Sequence, residues 1–67
     1  MFGISFKIDG IGYVRGKAED VHAAKSAAGR AFHQPYVRSV CVFAEDGQSH
    51  LYLKKDETGR VVKREEL

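Results

Sequence analysis

Cysteine and proline each occur once in this chain, and no apolar run approaches the ~20 residues needed to cross a bilayer. Each scarcity closes off a class of protein. The lone Cys41 forms no internal disulfide, and no Cys/His set carries zinc-finger spacing, so the usual staples of a small domain are missing. A single thiol suits a reducing compartment, and a cytoplasmic location is expected. The opening Met1-Phe2-Gly3-Ile4-Ser5-Phe6-Lys7 lacks the basic segment and apolar stretch of a secretory signal, so no membrane attachment is expected. Charge is nearly balanced, with 11 Lys/Arg against 9 Asp/Glu and a net charge of +2. That balance does not by itself indicate a nucleic-acid partner; the distribution of the cations has to. No repeat, linker or low-complexity segment divides the chain, so residues 1–67 read as one domain, burying roughly 60% of the surface its unfolded form exposes.

What is present alternates. Phe2, Ile4, Phe6 and Ile8 are interleaved with Gly3, Ser5, Lys7 and Asp9, the period-two pattern of a half-buried strand. Asp9-Gly10 predicts a two-residue hairpin that pairs Ile8 with Ile11 and Phe6 with Tyr13. Gly12 and Gly16 weaken the returning strand and leave its register open. Asp20 then stands as an N-cap. Behind it, Val21, Ala24, Ala28, Ala31 and Phe32 share one helical arc, with His22, Ser26, Gly29, Arg30 and His33 opposite and Lys25 at the boundary. Pro35 ends the helix. Tyr36 to Ala44 reads as a third strand. Ser49 to Lys55 reads as a fourth, with Leu51 and Leu53 on one face and His50, Tyr52 and Lys54 on the other. Arg60 to Arg64 reads as a short fifth, followed by a fraying Glu65-Glu66-Leu67. The expected fold is α+β: one antiparallel sheet of four to five strands, in the order β-β-α-β-β-β, with one helix packed on one face.

Catalytic constellations are hard to assemble. Cys41 falls in an inner strand and reads as a small core residue rather than a nucleophile. His22 and His33 stand about 16 Å apart along the helix and cannot share a metal, and His50 is alone on its strand. The carboxylates gather in turns and at element ends, where they serve capping and solubility. Gly10-Ile11-Gly12 is followed by neither a helix nor Gly-Lys-Ser/Thr, so it is not a phosphate loop. No enzyme, no cofactor and no metal site are expected.

The basic residues carry more information. Lys54, Lys55, Arg60, Lys63 and Arg64 crowd the last hairpin, while Lys25 and Arg30 stand on the helix. Such groups neutralise phosphates, and Tyr52 between His50 and Lys54 offers a ring for base stacking. Edge strands also carry lysine simply to block edge-to-edge pairing, and that reading stays open beside the first. An aromatic and basic sheet face equally suits a protein partner or a second copy of the chain, so monomer and homodimer both stand.

The run Ala18-Glu19-Asp20-Val21-His22-Ala23-Ala24-Lys25, then Phe32-His33, the hydrophobic strand ending at Phe43, and Leu51-Tyr52-Leu53-Lys54-Lys55-Asp56-Glu57-Thr58-Gly59-Arg60-Val61 resemble the small phage-encoded type I anti-CRISPR proteins across about residues 18–62. The resemblance implies an inhibitor of an RNA-guided surveillance complex (a CRISPR effector of Cas proteins) that blocks target-DNA binding. It places Lys25, Lys54, Lys55 and Arg60 at contact positions. Ser26 departs from the pattern, which has a second basic residue there, and the tight Asp9-Gly10 turn replaces a longer loop. Target DNA is held by cations of such an effector, so a basic chain would not act by simple charge mimicry. Glu45, Asp46, Asp56 and Glu57 would meet effector cations instead.

The expectation is therefore a non-enzymatic binding module acting through Lys54, Lys55 and Arg60, supported by Lys25, Arg30 and Tyr52. The alternative is a small, sequence-tolerant nucleic-acid-binding protein. Reversing Lys55 and Arg60 to Glu is expected to remove partner binding at an unchanged melting temperature.

Overall fold

A computed structural model describes residues 1–67. Two strands, β1 (Phe2–Ile8) and β2 (Gly12–Ala18), form a hairpin. Helix α1 (Val21–Phe32) follows and leads into a meander of β3 (Val37–Phe43), β4 (Ser49–Lys55) and β5 (Val61–Glu66). All neighbours in the sheet are antiparallel and the spatial order is β2-β1-β3-β4-β5. The helix thus carries the chain over β1, so that β3 joins its free side. The expected α+β architecture is the observed one.

The helix begins as the sequence predicts. Asp20 is extended (φ −129°, ψ 164°), and its Oδ1 accepts from the Ala23 N–H at 2.8 Å, satisfying one of the helix's orphan donors. Ala24 and Ala28 are fully buried, and their small side chains let the helix axis lie close to the sheet. Ile4, Val37, Val40, Val42, Leu51 and Leu53 meet them from below. Phe32, the one large apolar residue on the helix, is only partly buried at the margin of this core. Most of the helix contact falls on β3 and β1, less on β2 and β4, and none of its backbone approaches β5. No helix is long and apolar enough to cross a membrane.

The first hairpin departs from expectation by one residue. The Ile11 N–H donates to the Ile8 carbonyl at 3.1 Å, closing a turn with Gly10 at φ +81°. No residue other than glycine has positive φ, so Asp9 is not left-handed and the turn is type II rather than the type I′ that a two-residue hairpin favours. Gly12, at φ +107°, then opens the second strand opposite Ile8. The loop holds three residues, and Phe6 pairs with Val14 instead of Tyr13. A one-residue slip exchanges the faces of a strand. Val14, Gly16 and Ala18 therefore share the helix-covered face, and Tyr13, Arg15 and Lys17 share the uncovered one.

Other corrections follow from register. The third strand begins at Val37, and Tyr36 lies before it with its carbonyl accepting from the Asp9 N–H at 2.9 Å. Val40 and Val42 are the buried residues of β3, which leaves Cys41 on the uncovered face between Ser5 and Tyr52, only partly buried. It is not a core residue. The pairing of β3 with β4 shifts between Val42 and Phe43, and His50 packs edge-on against the Phe2 ring at 5.2 Å instead of joining Tyr52 and Lys54. The C-terminal residues, expected to lie outside the fifth strand, continue it: Glu66 pairs with Leu51, and the Leu67 N–H donates to the His50 carbonyl at 3.0 Å.

Candidate functional site

The six residues singled out by sequence do not share one surface. Lys55 is 7% exposed. Its Nζ donates to the carbonyls of Phe32 at 2.7 Å and Gln34 at 2.9 Å, and sits 4.7 Å from the Phe32 ring centre. It closes the C-terminal end of α1, where carbonyls lack intrahelical partners. The expectation that Lys55 offers its charge to a partner is corrected: that charge is spent inside the fold, beside α1. Lys25 is also engaged, with its Nζ 3.0 Å from Glu66 Oε2 and 3.4 Å from the Leu67 carbonyl. Arg30 is exposed in the last helical turn, on the opposite side of the molecule from the uncovered sheet face. Arg60 is exposed at the end of the β4–β5 turn. Of the six, only Tyr52 and Lys54 lie on the uncovered face. The last hairpin is therefore not a continuous cationic ribbon: Lys54 and Lys63 face one way, while Lys55 and Arg64 belong to the helix side.

The uncovered face, read through the register, gathers what the sequence scatters. One row across the sheet runs Tyr13, Lys7, Ser39, Lys54, Lys63. The next runs Arg15, Ser5, Cys41, Tyr52, Glu65, and a third holds Lys17, Gly3, Phe43 and Ser49. Five Lys/Arg thus stand against one carboxylate. None of Lys7, Arg15, Lys17 and Lys54 has a carboxylate within 4.0 Å, and Lys63 meets Glu65 only at 3.9 Å. Lys54 and Lys63 are direct cross-strand partners, an arrangement that like charges make unfavourable. Phe43 is the apolar part of this face and lies over Gly3, where a Cβ would overlap its ring. Lys7, Tyr13, Arg15, Lys17 and Lys63 lie outside the six residues chosen from the sequence, and for the three on β2 the signal that places them here is the hairpin register.

Each of the two tyrosine rings on this face has a lysine ammonium beside it. Lys7 Nζ lies 5.9 Å from the Tyr13 ring centre and Lys63 Nζ 5.7 Å from that of Tyr52. Tyr13 is 70% exposed and Tyr52 partly buried.

The neighbouring charges at the end of the sheet are internally used. Arg38 grips Asp9 with two hydrogen bonds, Nε to Oδ1 at 3.3 Å and Nη2 to Oδ2 at 3.0 Å, and this contact raises the guanidinium pKa further. Asp56 Oδ1 accepts from the Thr58 hydroxyl at 2.6 Å, the Thr58 N–H at 2.9 Å and the Arg60 N–H at 3.1 Å. Those bonds, the Thr58 hydroxyl foremost, hold the Asp56 carboxyl below its ordinary value. A shallow polar hollow of about 630 Å³ lies among Lys7, Arg38, Lys54 and Asp56. Lys7 and Lys54 are its two cations with neither a carboxylate within 4.0 Å nor a hydrogen bond inside the fold, while Lys55, which also lines it, serves the Phe32 and Gln34 carbonyls. No group of three or more His, Cys, Asp or Glu side chains comes together in a way that could hold a metal ion.

No family model, no curated protein and no solved structure matches this chain.

Proposed function

We propose that this protein is a binding module, not an enzyme, and that the uncovered face of its sheet takes the phosphate backbone of nucleic acid with little regard for sequence. The observation that carries this reading is the row Lys7, Lys54, Lys63. Three ammonium groups line up across the sheet, two of them directly opposed; the rows of this face hold one carboxylate, loosely paired Glu65, and of the carboxylates at the sheet's end Asp9 and Asp56 are already engaged within the fold. Such a row costs stability in the free protein and is relieved by an anion that spans it. With adjacent strands about 4.8 Å apart, Lys7 and Lys63 stand about 14 Å apart at their backbones, a span suited to several phosphates in series. Lysine, a point charge without the fixed fork of arginine, neutralises phosphates without reading bases. A cytoplasmic setting, where the free Cys41 persists, belongs to the same proposal.

The test is fluorescence anisotropy of labelled oligonucleotides of several sequences over a salt series. Five cations on phosphates of a single strand give a slope of log affinity against log salt of about −3.5, at about 0.7 per contact. The double variant Lys7→Gln, Lys54→Gln should flatten that slope by about 1.4 at an unchanged fold. Absence of any binding at low ionic strength overturns the reading.

Inhibition of a type I surveillance complex, which the resemblance implies, is the second reading. Exposed Lys54 and Arg60 favour it; Lys25 and Lys55 no longer do, because both are engaged within the fold. It is tested by adding the protein to such a complex before target DNA. Undiminished DNA binding at saturating protein rejects it.

A further inference from the structure

We infer that the nucleic acid this face takes is single-stranded, held with one base on Tyr13 and another on Tyr52. This inference rests on the nucleic-acid reading above and adds to it the form of the ligand. A duplex presents phosphates and groove edges but hides the flat surfaces of its bases. A face built only for duplex phosphates has no use for rings. Here two of the three tyrosines stand on the cationic face, and each sits within 6 Å of a lysine ammonium. A ring beside an ammonium matches the two parts of one unpaired nucleotide: a base to stack and a phosphate to neutralise.

The spacing of the two rings sets the register of the strand. Tyr13 on β2 and Tyr52 on β4 are separated by three strand intervals, about 14 Å. Tyr52 lies two residues along β4 from Lys54, which shares the row of Tyr13, adding an offset of about 7 Å along the strands. The diagonal is about 16 Å. At the roughly 3.4 Å rise of a stacked strand, this separation corresponds to about five steps, or about six nucleotides counting both stacked bases, and fewer for a stretched strand. Between the rings the path crosses Ser5, Ser39 and Cys41, small side chains that leave the sheet open, with Lys7 and Lys54 alongside.

The experiment compares oligothymidylates of two to ten residues, a blunt duplex of ten base pairs and poly-glutamate. The readouts are anisotropy and tyrosine emission, which is uncomplicated because the chain has no tryptophan. Affinity should rise with length up to about six residues and then gain little per residue, with at least tenfold preference for the single strand over the duplex. Tyr13→Leu and Tyr52→Leu should each weaken the single strand by at least fivefold, the lower end of the range for one stacked base, and leave the duplex unchanged. Tyr52→Phe keeps the ring and should restore binding, which separates stacking from any loss of fold. Equal affinity for duplex and single strand, with both leucine variants silent, overturns the inference while the nucleic-acid reading stands. Binding to neither nucleic acid, or tighter binding to poly-glutamate than to either, overturns both.

Discussion

The ammonium of Lys55 lies 2.7 Å from the carbonyl oxygen of Phe32 and 4.7 Å from the centre of the same residue's ring. One side chain on β4 thereby fixes both the end and the anchor of the only helix. A hydrogen bond from a charged donor is worth about 1.5–3 kcal/mol. Lys55→Met keeps the aliphatic stem but leaves the two carbonyls unserved, so a loss of about 2–3 kcal/mol is expected. At about 4–8 °C per kcal/mol for a domain of this size, thermal denaturation should show a drop of at least 8 °C. Lys55→Glu, which presses a carboxylate against carbonyl oxygens, should lose more. A wild-type melting curve for Lys55→Glu would mean that the residue is free at the surface.

Gly12 holds the register of the first hairpin. Its φ of +107° is one that residues with a Cβ rarely adopt, and nothing lies within 4 Å of where that Cβ would be. Gly12→Ala should therefore cost at least about 1 kcal/mol through backbone strain alone. Urea denaturation measures it. If alanine is tolerated without loss, the strand is free to slip and the placement of Tyr13, Arg15 and Lys17 on the uncovered face fails with it.

Lys54 and Lys63 predict a trade between stability and binding. Lys54→Thr removes one of two opposed ammonium groups and substitutes a residue that favours strands. Stability at low salt should rise by about 0.2–1 kcal/mol. Oligonucleotide affinity should fall in parallel. A variant that is less stable and binds as before would show that the lysine serves the sheet and not a ligand.

Asp56 predicts part of the acid limb of stability. Its carboxyl is held below the ordinary 3.8, first by the Thr58 hydroxyl and then by the Arg60 and Thr58 amides. A group depressed in the folded state stabilises it above the unfolded pKa, and that contribution is lost as pH falls through the folded one. Asp56→Asn should be less stable than the parent at pH 7. The gap should begin to narrow only as pH falls below the unfolded carboxyl's value of about 3.9, and close once pH has passed the lower folded one. Urea melts at pH 7, 4 and 2 measure it, and a constant gap across all three would remove Asp56 from the pH response.

The elements were legible because their signals were local. The alternation of Phe2 to Ile8, the Asp20 cap and the alanine stripe each depend on residues within a turn or two of one another, and each is where the sequence puts it. The site was harder to read because it depends on pairing. Asp9-Gly10 predicts a turn but does not say whether it closes with two residues or three, and that choice decides which half of β2 faces the helix. Lys55 was misplaced for a related reason. It stands next to Lys54 in a basic stretch, and simple alternation puts it on the side of Leu51 and Leu53, yet its charge suggested water. The carbonyls that receive it, on Phe32 and Gln34, are more than twenty positions away. Cys41 follows the same logic: an inner strand was expected, but the side of that strand was set by Val40 and Val42.

Every residue of β5 is exposed, and no part of the helix backbone comes near it. Peeling this strand away costs backbone hydrogen bonds, the Lys25–Glu66 pair and little apolar contact. Its amides should consequently exchange with deuterium well before those of β1 and β3, which open only with the whole domain. A molecule built this way has a detachable border, and Lys63, which belongs to that border, can swing toward or away from an arriving chain without disturbing the rest.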